Sequence, residues 1–279
     1  MNYTEGKITN SCNRRIHYRR WLPSNSCKAD IIVAHGMAEH GGRYSHIAER
    51  LASLGYATGI PDLSGHGLSE GRRCHIDDFS SYCDDLRCFH SFIVDGSLRP
   101  VFLFGHSMGG LIVLQYALRY QDTLCGLMLC APCISPAMKV TPFHLMAAEL
   151  LSYIAPRTGV TRLPAKHLCR DSRIVEHYIN DPLVFRGKIS ARLGTQLVKT
   201  GRSLIEYLSE IRVPLLILQG TDDRLCAVEG SKLVYNAVGT ADRMLKLYEG
   251  FYHEVFNEPE NGSVFTDLET WLEGHVYCK

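Results

Sequence analysis

The sequence predicts an α/β fold with a mainly parallel central sheet, helices on both faces and an inserted helical cap. From residue 29 onward, short apolar runs alternate with longer segments of helical spacing, which is typical of parallel sheets built from strand–helix–strand units. The alternation lapses between Pro132 and Ile211, where helical segments separated by prolines take over. The chain has 279 residues, of which 46% are hydrophobic, so it can bury one large core together with an inserted segment.

The predicted strands and helices follow one another in a regular order. The first 22 residues alternate in polarity around Lys7–Thr9 and Ile16–Trp21, which predicts antiparallel strands at the sheet edge. Later apolar runs predict strands at 29–34, 56–60, 100–104, 124–130, 213–218 and 244–248. Helical spacing is found at 43–54, 78–94, 109–120, 228–238 and 263–271.

The interrupted stretch is interpreted as a helical cap inserted after the sixth strand of the sheet. Pro142–Ala155 is apolar on more than half of its circumference, begins with proline at its first turn and is followed directly by Pro156. The predicted core therefore consists of residues 1–132 and 211–279, and the predicted cap of residues 133–210. The apolar helix would line an acyl channel and touch lipid, or would simply pack over the core.

Charge and hydropathy exclude several classes of protein. Thirty basic and 29 acidic residues give a net charge of +1 without a concentrated basic face, so no nucleic-acid partner is expected. The polar N-terminus lacks the apolar region of a secretory signal, and no window approaches the roughly 18 apolar residues of a membrane span. We expect a cytoplasmic protein, with peripheral membrane contact through the cap helix. The sequence does not define an oligomeric state.

Eleven cysteines are many for a chain without a secretory signal. In a reducing compartment most of them are expected to be buried thiols. Cys130-Ala131-Pro132-Cys133 matches C-x-x-C, but no second pair stands at zinc-ligand spacing. These two cysteines are therefore interpreted as thiols at the end of a strand, and no metal site is predicted.

A G-x-S-x-G motif carries the clearest chemical signal. Gly105-His106-Ser107-Met108-Gly109 directly follows an apolar strand and opens a helix, which is the context of the nucleophile turn in the α/β-hydrolase fold. The glycines leave room for a strained serine, and the helix behind it supplies backbone N–H groups that stabilise an oxyanion. Ser107 is therefore the predicted nucleophile. The alternative is an ordinary glycine-rich turn.

A serine hydroxyl needs a base and an orienting acid, which in this fold follow it in the order serine, acid, histidine. The strand at 213–218 leads to Asp222 and Asp223, and sequence order does not separate these two candidates. A buried carboxylate needs hydrogen bonds, so only one of the pair is expected to point inward. Among the histidines only His253 and His275 follow the acid; His253 lies after the next strand, whereas His275 lies in the terminal tail. His253 is the predicted base.

The second oxyanion donor normally comes from the loop after the first parallel strand. That loop, residues 35–44, contains glycines that let its backbone approach a substrate, and it places the Met37 N–H beside that of Met108. A purely structural glycine-rich loop is the alternative. The loop at 62–72 has glycines and short polar groups and is interpreted as scaffold beneath the site.

Six motifs, in order, resemble those of the monoacylglycerol lipases. The related bacterial lysophospholipases share most of them, and the match runs from about residue 29 to the C-terminus, cap included. The matching segments are His35–Tyr44, Asp62–Arg73, Gly105–Gly110, Asp181–Leu183, Gly220–Cys226 and Tyr248–His253.

The resemblance implies an α/β-hydrolase with a lid that docks on membranes or lipid aggregates. The family's acid lies three residues after the strand-end glycine, which selects Asp223, and its oxyanion donors map onto the two methionines already named. Family members hold the glycerol head with a glutamate and an arginine of the first loop, here Glu39 and Arg43. A cap tyrosine assists them, and Tyr178 occupies that position.

The sequence also departs from the family. Mammalian members carry a second histidine three residues after the catalytic one, and here that position is Phe256. Cys226 near the acid is retained and would react with thiol reagents if exposed.

The predicted reaction is hydrolysis of monoacylglycerol to fatty acid and glycerol through an acyl-enzyme, without a metal or organic cofactor. Lysophospholipid hydrolysis or a broader carboxylesterase activity is the alternative. An acyltransferase remains open because the same triad serves both reactions, and a hydrolase-fold binding protein with a lost triad is the alternative outside the enzymes.

Overall fold

The computed structural model of the protein describes residues 1–135, 137 and 142–277, with the backbone alone for 142–145. The strands of the described residues are β1 Asn2–Thr9, β2 Arg15–Leu22, β3 Ala29–Ala34, β4 Tyr56–Pro61, β5 Val101–His106, β6 Gly126–Cys130, β7 Gly159–Thr161, β8 Ile189–Ser190, β9 Leu215–Gly220 and β10 Arg243–Tyr248. Eight of them form one sheet in the order β1-β2-β4-β3-β5-β6-β9-β10, and a short pair, β7 and β8, forms a separate sheet.

The predicted mainly parallel sheet is confirmed. Strand β2 is antiparallel to both of its neighbours, and all the other paired strands of the large sheet run parallel. Strand β1 lies at the edge and is largely exposed, whereas β3, β4, β5, β6 and β9 are buried at every position. Continuous apolar runs form these inner strands because helices cover both faces of the sheet.

The helices divide between the two faces. Helices α1 and α8 pack in one core with Ile47 and Trp271, and helices α2, α3 and α7 pack in the other with Leu86, Leu111 and Val234. No helix within the described ranges combines the length and the apolar character needed to cross a bilayer. The helices are α1 Ser45–Ser53, α2 Ser80–Val94, α3 Met108–Tyr120, α4 Pro142–Ile154, α5 Ser172–Asn180, α6 Ala191–Ile205, α7 Val228–Ala237 and α8 Gly262–His275.

Helices α4, α5 and α6 lie in the connection between β6 and β9, where the alternation lapses in the sequence. The apolar helix predicted at Pro142–Ala155 is present as α4, and the side chains of its first turn, Phe143 and Leu145 among them, lie outside the described residues. The connection is tied to the core through its backbone. Phe185 N–H donates to the Ala38 carbonyl at 2.8 Å, and Glu254 N–H donates to Leu168 at 2.8 Å.

Candidate active site

The turn between β5 and α3 holds Ser107 in a strained conformation. Its φ of 54° and ψ of −115° lie in a region that side chains rarely adopt. A Cβ on Gly105 would come 2.5 Å from the Gly109 carbonyl oxygen, and one on Gly109 would come 1.9 Å from that of Ala34. Only glycine fits at these two positions, so the motif's glycines are explained by backbone packing against β3 and α3.

Two backbone segments approach this serine. Met108 is the first residue of α3, and its N–H therefore has no acceptor within the helix. Met37 follows β3 and lines the same pocket as Ser107. The next residue, Ala38, has a φ of 69°, and its carbonyl accepts a hydrogen bond from Phe185. The loop that carries Met37 is thus held in an uncommon conformation by the inserted connection.

The structure separates the two acidic candidates after β9. Asp222 is exposed, whereas Asp223 is buried and accepts four hydrogen bonds. Its Oδ1 accepts from the Leu225 N–H at 2.8 Å and the Cys226 N–H at 3.0 Å. Its Oδ2 accepts from Gln219 Nε2 at 2.8 Å and from His253 Nδ1 at 2.8 Å. Burial opposes ionisation of Asp223, but the His253 ring and these hydrogen bonds lower its pKa.

His253 lies after β10 with 2% of its surface exposed. Burial alone would lower the pKa of His253, but the charge of Asp223 and its hydrogen bond to Nδ1 raise it above the ordinary value. A proton on Nδ1 leaves Nε2 as the free acceptor of the neutral ring. His253 and Ser107 line one pocket, and the His253 ring lies 4.7 Å from that of His106.

The loops that carry the acid and the histidine are bonded to each other. Thr221 N–H donates to Tyr248 at 2.9 Å, and Asp222 N–H donates to Phe251 at 3.0 Å. A Cβ on Gly220 would come 2.3 Å from the Tyr252 carbonyl oxygen, so the strand-end glycine permits this approach. The separation of Asp223 and His253 is therefore set by backbone contacts.

A buried ion cluster forms one wall of the pocket. Arg43 contacts Glu39, and its two terminal nitrogens bind Glu254 at 2.6 and 2.8 Å. The Tyr178 ring lies 4.7 Å from the guanidinium carbon of Arg43. Glu39 Oε1 also accepts from the Tyr44 hydroxyl at 2.6 Å. Burial opposes ionisation of Glu39, but Arg43 holds the pKa of its carboxyl well below the usual range.

The three predicted head-group residues, Glu39, Arg43 and Tyr178, thus lie together and line the pocket with Ser107. Glu254 is the member that sequence reasoning missed. It directly follows His253, but its partner Arg43 lies 211 positions away, and no local pattern signals that pairing. Two carboxylates therefore share one guanidinium in this wall.

Phe256 and Cys226 lie next to different parts of the site. Phe256 packs against Phe104, with ring centroids 5.7 Å apart, in an apolar layer behind the ion cluster. Cys226 is 1% exposed, and its sulfur lies 3.9 Å from Ser107 Oγ. Among the described residues, Asp223, Cys226 and His253 have donor atoms close enough together to hold a metal ion, although Asp223 and His253 already bind each other.

Comparison with known proteins agrees with this geometry. A family model described as serine aminopeptidase, S33, matches residues 25–260. A monoacylglycerol lipase of Mycolicibacterium smegmatis is 37% identical over 263 residues, which are 94% of this chain and 94% of that protein. The human monoglyceride lipase is 34% identical over 269 residues, covering 95% of this chain and 89% of that one.

A solved structure leads to the same conclusion about the fold. The crystal structure of the Paleococcus ferrophilus monoacylglycerol lipase superposes with a TM-score of 0.82 at 28% identity, covering 99% of this chain and 100% of that one. The predicted α/β-hydrolase fold and the predicted family are confirmed. The chain belongs to the serine aminopeptidase S33 family of α/β-hydrolases, in the group that contains the monoacylglycerol lipases.

Proposed function

We propose that this protein is a serine hydrolase that cleaves the acyl ester of monoacylglycerol to fatty acid and glycerol. The observation that carries the proposal is that a strained Ser107 and His253 line one pocket, with His253 Nδ1 bound to the buried Asp223 at 2.8 Å. A strained serine on a helix N-terminus and a histidine oriented by a carboxylate are the parts that acyl transfer needs. The ester hydrolases among its relatives support the choice of an ester substrate.

In the proposed mechanism, neutral His253 accepts the Ser107 proton at Nε2 while Oγ attacks the ester carbonyl. The N–H groups of Met37 and Met108 donate to the developing oxyanion, and one such donor contributes about 3 kcal/mol in comparable enzymes. Asp223 stabilises the imidazolium and fixes its tautomer. His253 then protonates the leaving alcohol, and water releases the fatty acid by the same steps in reverse order.

The ion cluster favours an uncharged polyol as the leaving group. Glu39 and Glu254 contribute two negative charges and Arg43 one positive charge, so their sum is negative. Hydroxyl groups donate hydrogen bonds to such carboxylates, whereas a phosphate would be repelled. This charge balance favours monoacylglycerol over lysophospholipid. Phe256 makes the adjoining layer apolar and limits the polar contacts to the wall formed by the cluster.

We further propose that residues 133–210 act as a cap over a core formed by 1–132 and 211–279. Helix α4 exposes a row of apolar side chains, and its Glu149 forms an ion pair with Lys199 of α6. An exposed apolar helix face flanked by charges suits peripheral contact with a lipid surface. The exposed apolar residues of this face are Met146, Leu150, Tyr153 and Ile154.

The proposal is tested with purified protein and a fluorophosphonate probe. We expect labelling of wild type and none of Ser107→Ala, whereas Ser69→Ala, a buried serine outside the site, labels normally. Monoacylglycerol, lysophosphatidylcholine and an aminoacyl anilide are then compared by kcat/KM. The anilide covers the peptidase chemistry in the family description, and an added alcohol acceptor detects acyl transfer. Absence of labelling in folded wild type would contradict the enzyme proposal, and faster turnover of lysophosphatidylcholine would contradict the substrate proposal.

A further inference from the structure

The Asp181-Pro182-Leu183 motif has no part in the proposed mechanism. Asp181 follows the last residue of α5, and the helix ends there because the ring of Pro182 disfavours helical backbone at the residue before it. The Asp181 carboxylate makes two contacts. Its Oδ1 accepts from the Leu183 N–H at 2.8 Å, and its Oδ2 lies 2.9 Å from His40 Nε2. The motif therefore joins the inserted connection to the loop after β3, residues 35–44.

The hydrogen bonds of His40 determine which ring nitrogen carries the proton. Nδ1 accepts from the Gly42 N–H at 3.1 Å, so the ring proton lies on Nε2. Nε2 therefore donates to the Asp181 carboxylate. The His40 side chain is 7% exposed and that of Asp181 is 25% exposed, so this bond lies mostly out of water. Burial opposes ionisation of Asp181, but the bond from His40 and the Leu183 N–H lower its pKa.

Two bonds from the inserted connection fall within three residues of the proposed oxyanion donor. The Phe185 N–H donates at 2.8 Å to the carbonyl of Ala38, the residue after Met37. Asp181 binds His40, three positions after Met37. Ala38 has a φ of 69°, a conformation that a residue with a side chain keeps only where its surroundings hold it. The direction of the Met37 N–H therefore depends on residues of the inserted connection.

The other half of the loop is held by the core. Asp62, which is completely buried, accepts from the Gly41 N–H at 2.7 Å. His40 directly precedes Gly41 and joins this fixed half to the half that carries Met37. A change in the position of the His40 ring, which Asp181 holds, is therefore transmitted towards Met37.

We propose that Asp181 is a positioning residue for the oxyanion site: through His40 it holds the loop so that the Met37 N–H points at the carbonyl oxygen of the substrate. Asp181 does not touch the reacting atoms in this role. The inference rests on the proposed serine hydrolase mechanism, because only a reaction that develops an oxyanion uses such a donor. It does not depend on which ester is cleaved, since each acyl ester passes through a tetrahedral intermediate.

Asp181→Asn breaks this contact with little change in size. The oxygen of the new side chain can still accept from the Leu183 N–H, which leaves its amide group facing His40 Nε2. Both of these nitrogen atoms then carry hydrogen. Moving the ring proton to Nδ1 would lose the bond from the Gly42 N–H instead. His40 therefore loses one of its two bonds with either tautomer, and the loop near Met37 is released.

The experiment measures steady-state kinetics of Asp181→Asn on monoacylglycerol and on a soluble p-nitrophenyl ester. We expect kcat to fall about tenfold on both esters with KM nearly unchanged, a part of the loss of about 10²- to 10³-fold caused by removal of a whole oxyanion donor. A trifluoromethyl ketone forms an oxyanion when Ser107 adds to it, and its inhibition should weaken by the same factor. Binding of a non-cleavable ether analogue of monoacylglycerol, which forms no oxyanion, should not change.

Asp171→Asn, at the other end of α5, is the matched control. Asp171 caps the helix by accepting from the Arg173 N–H at 2.9 Å, and asparagine caps helices equally well. Its kinetics and thermal unfolding should match those of wild type. His40→Ala tests the route of the effect, because Asp181→Asn should lower kcat no further in that background. An undiminished tenfold effect there would contradict action through His40.

Three results with folded Asp181→Asn would overturn the inference, and they decide it even if His40→Ala does not fold. The first is a wild-type kcat. The second is a loss confined to monoacylglycerol, which would assign Asp181 to the head group. The third is equal weakening of the ketone and the ether analogue, which would assign it to the shape of the pocket. Absence of turnover of any ester by folded wild type would overturn the proposed function, and this inference with it.

Discussion

The catalytic loops and helix α4 illustrate two ways in which sequence specifies a functional region. By catalytic loops we mean the three loops that carry the proposed triad, residues 105–109, 220–226 and 248–254, at the carboxyl ends of β5, β9 and β10. Most backbone positions there are fixed by a hydrogen bond or by a contact that only glycine permits. Helix α4 instead packs on α6 and presents apolar side chains outward, with Tyr153 82% exposed.

The contrast fits the roles that we propose for the two regions. Proton transfer requires heavy atoms within hydrogen-bond distance, and small displacements are costly. Contact with a fluid lipid surface requires apolar area without a fixed partner geometry. Substitutions in the loops should therefore change rates by orders of magnitude, and substitutions on α4 by small factors that depend on the physical state of the substrate.

The largest effect is expected at the acid. Asp223→Asn removes the charge that fixes the His253 tautomer, and kcat should fall about 10⁴-fold, as it does when a triad aspartate is lost elsewhere. Asp222→Asn is the matched control, because that side chain is exposed and lies one position away. Its kcat should stay within about twofold of wild type. Steady-state kinetics on a soluble p-nitrophenyl ester measures both, and equal losses in the two variants would contradict the assignment of the acid.

The pH dependence of kcat/KM tests the Asp223–His253 pair in the unsubstituted protein. His253 must be neutral to accept a proton, and Asp223 raises its pKa above the ordinary value of about 6.5. kcat/KM should therefore fall as pH is lowered, with a midpoint above that value and a limiting slope of about tenfold per pH unit. In Asp223→Asn the residual activity should show a lower midpoint, because the raising charge is gone. A midpoint that stays unchanged would mean that another group titrates.

A substitution in the ion cluster should lower kcat/KM by an intermediate factor. Glu254→Gln removes one of two charges that hold Arg43, so its guanidinium shifts and the leaving alcohol loses a positioned partner. We expect kcat/KM for monoacylglycerol to fall about tenfold. The ratio of lysophosphatidylcholine to monoacylglycerol turnover should rise, because the wall becomes neutral.

Glu249→Gln, in the same loop but exposed, is the matched control for that change. It should leave both substrates unaffected. If Glu254→Gln lowered activity on a glycerol-free ester as strongly as on monoacylglycerol, the cluster would be supporting His253 and not the head group. Thermal unfolding measured alongside separates loss of the fold from loss of specificity.

The sequence predicted those features of the two regions that neighbouring residues determine, and it predicted less where residues far apart in the chain make contact. The nucleophile turn was predictable because its glycines lie within two residues of Ser107, and the alternation of strands and helices predicted the sheet. Residue patterns alone left Asp222 and Asp223 open, since the choice between them depends on the contact with His253, which lies 30 positions away after another strand. The family's spacing selected Asp223, and the structure places it against His253.

Contacts between distant segments were not predictable. Glu254 meets Arg43, and the Cys226 sulfur lies beside Ser107 Oγ, only because the carboxyl ends of parallel strands converge at one edge of the sheet. Nothing local distinguishes these residues from surface glutamates or ordinary buried thiols. The apolar character of α4 was evident from composition, but which of its side chains face outward required the packing against α6.

The smallest effect is expected on α4, and it should depend on the substrate's physical state. Leu150 is 61% exposed, and full burial of a leucine contributes about 2 kcal/mol. Partial insertion into a lipid surface contributes about half of that, so Leu150→Ser should lower activity on monoacylglycerol in vesicles about fivefold. Activity on a soluble p-nitrophenyl ester should remain within error of wild type, because the catalytic loops are untouched.

Leu98→Ser is the matched control, at an exposed leucine outside the proposed cap. Leu98 is fully exposed in the connection between α2 and β5, so this change removes the same side chain without touching the cap. Vesicle sedimentation should show weaker binding for Leu150→Ser alone. If Leu150→Ser lowered the two activities equally, α4 would act by shaping the pocket from within. The proposed contrast between a rigid catalytic edge and an adaptable lipid-facing helix would then fail, because both regions would contribute through fixed geometry.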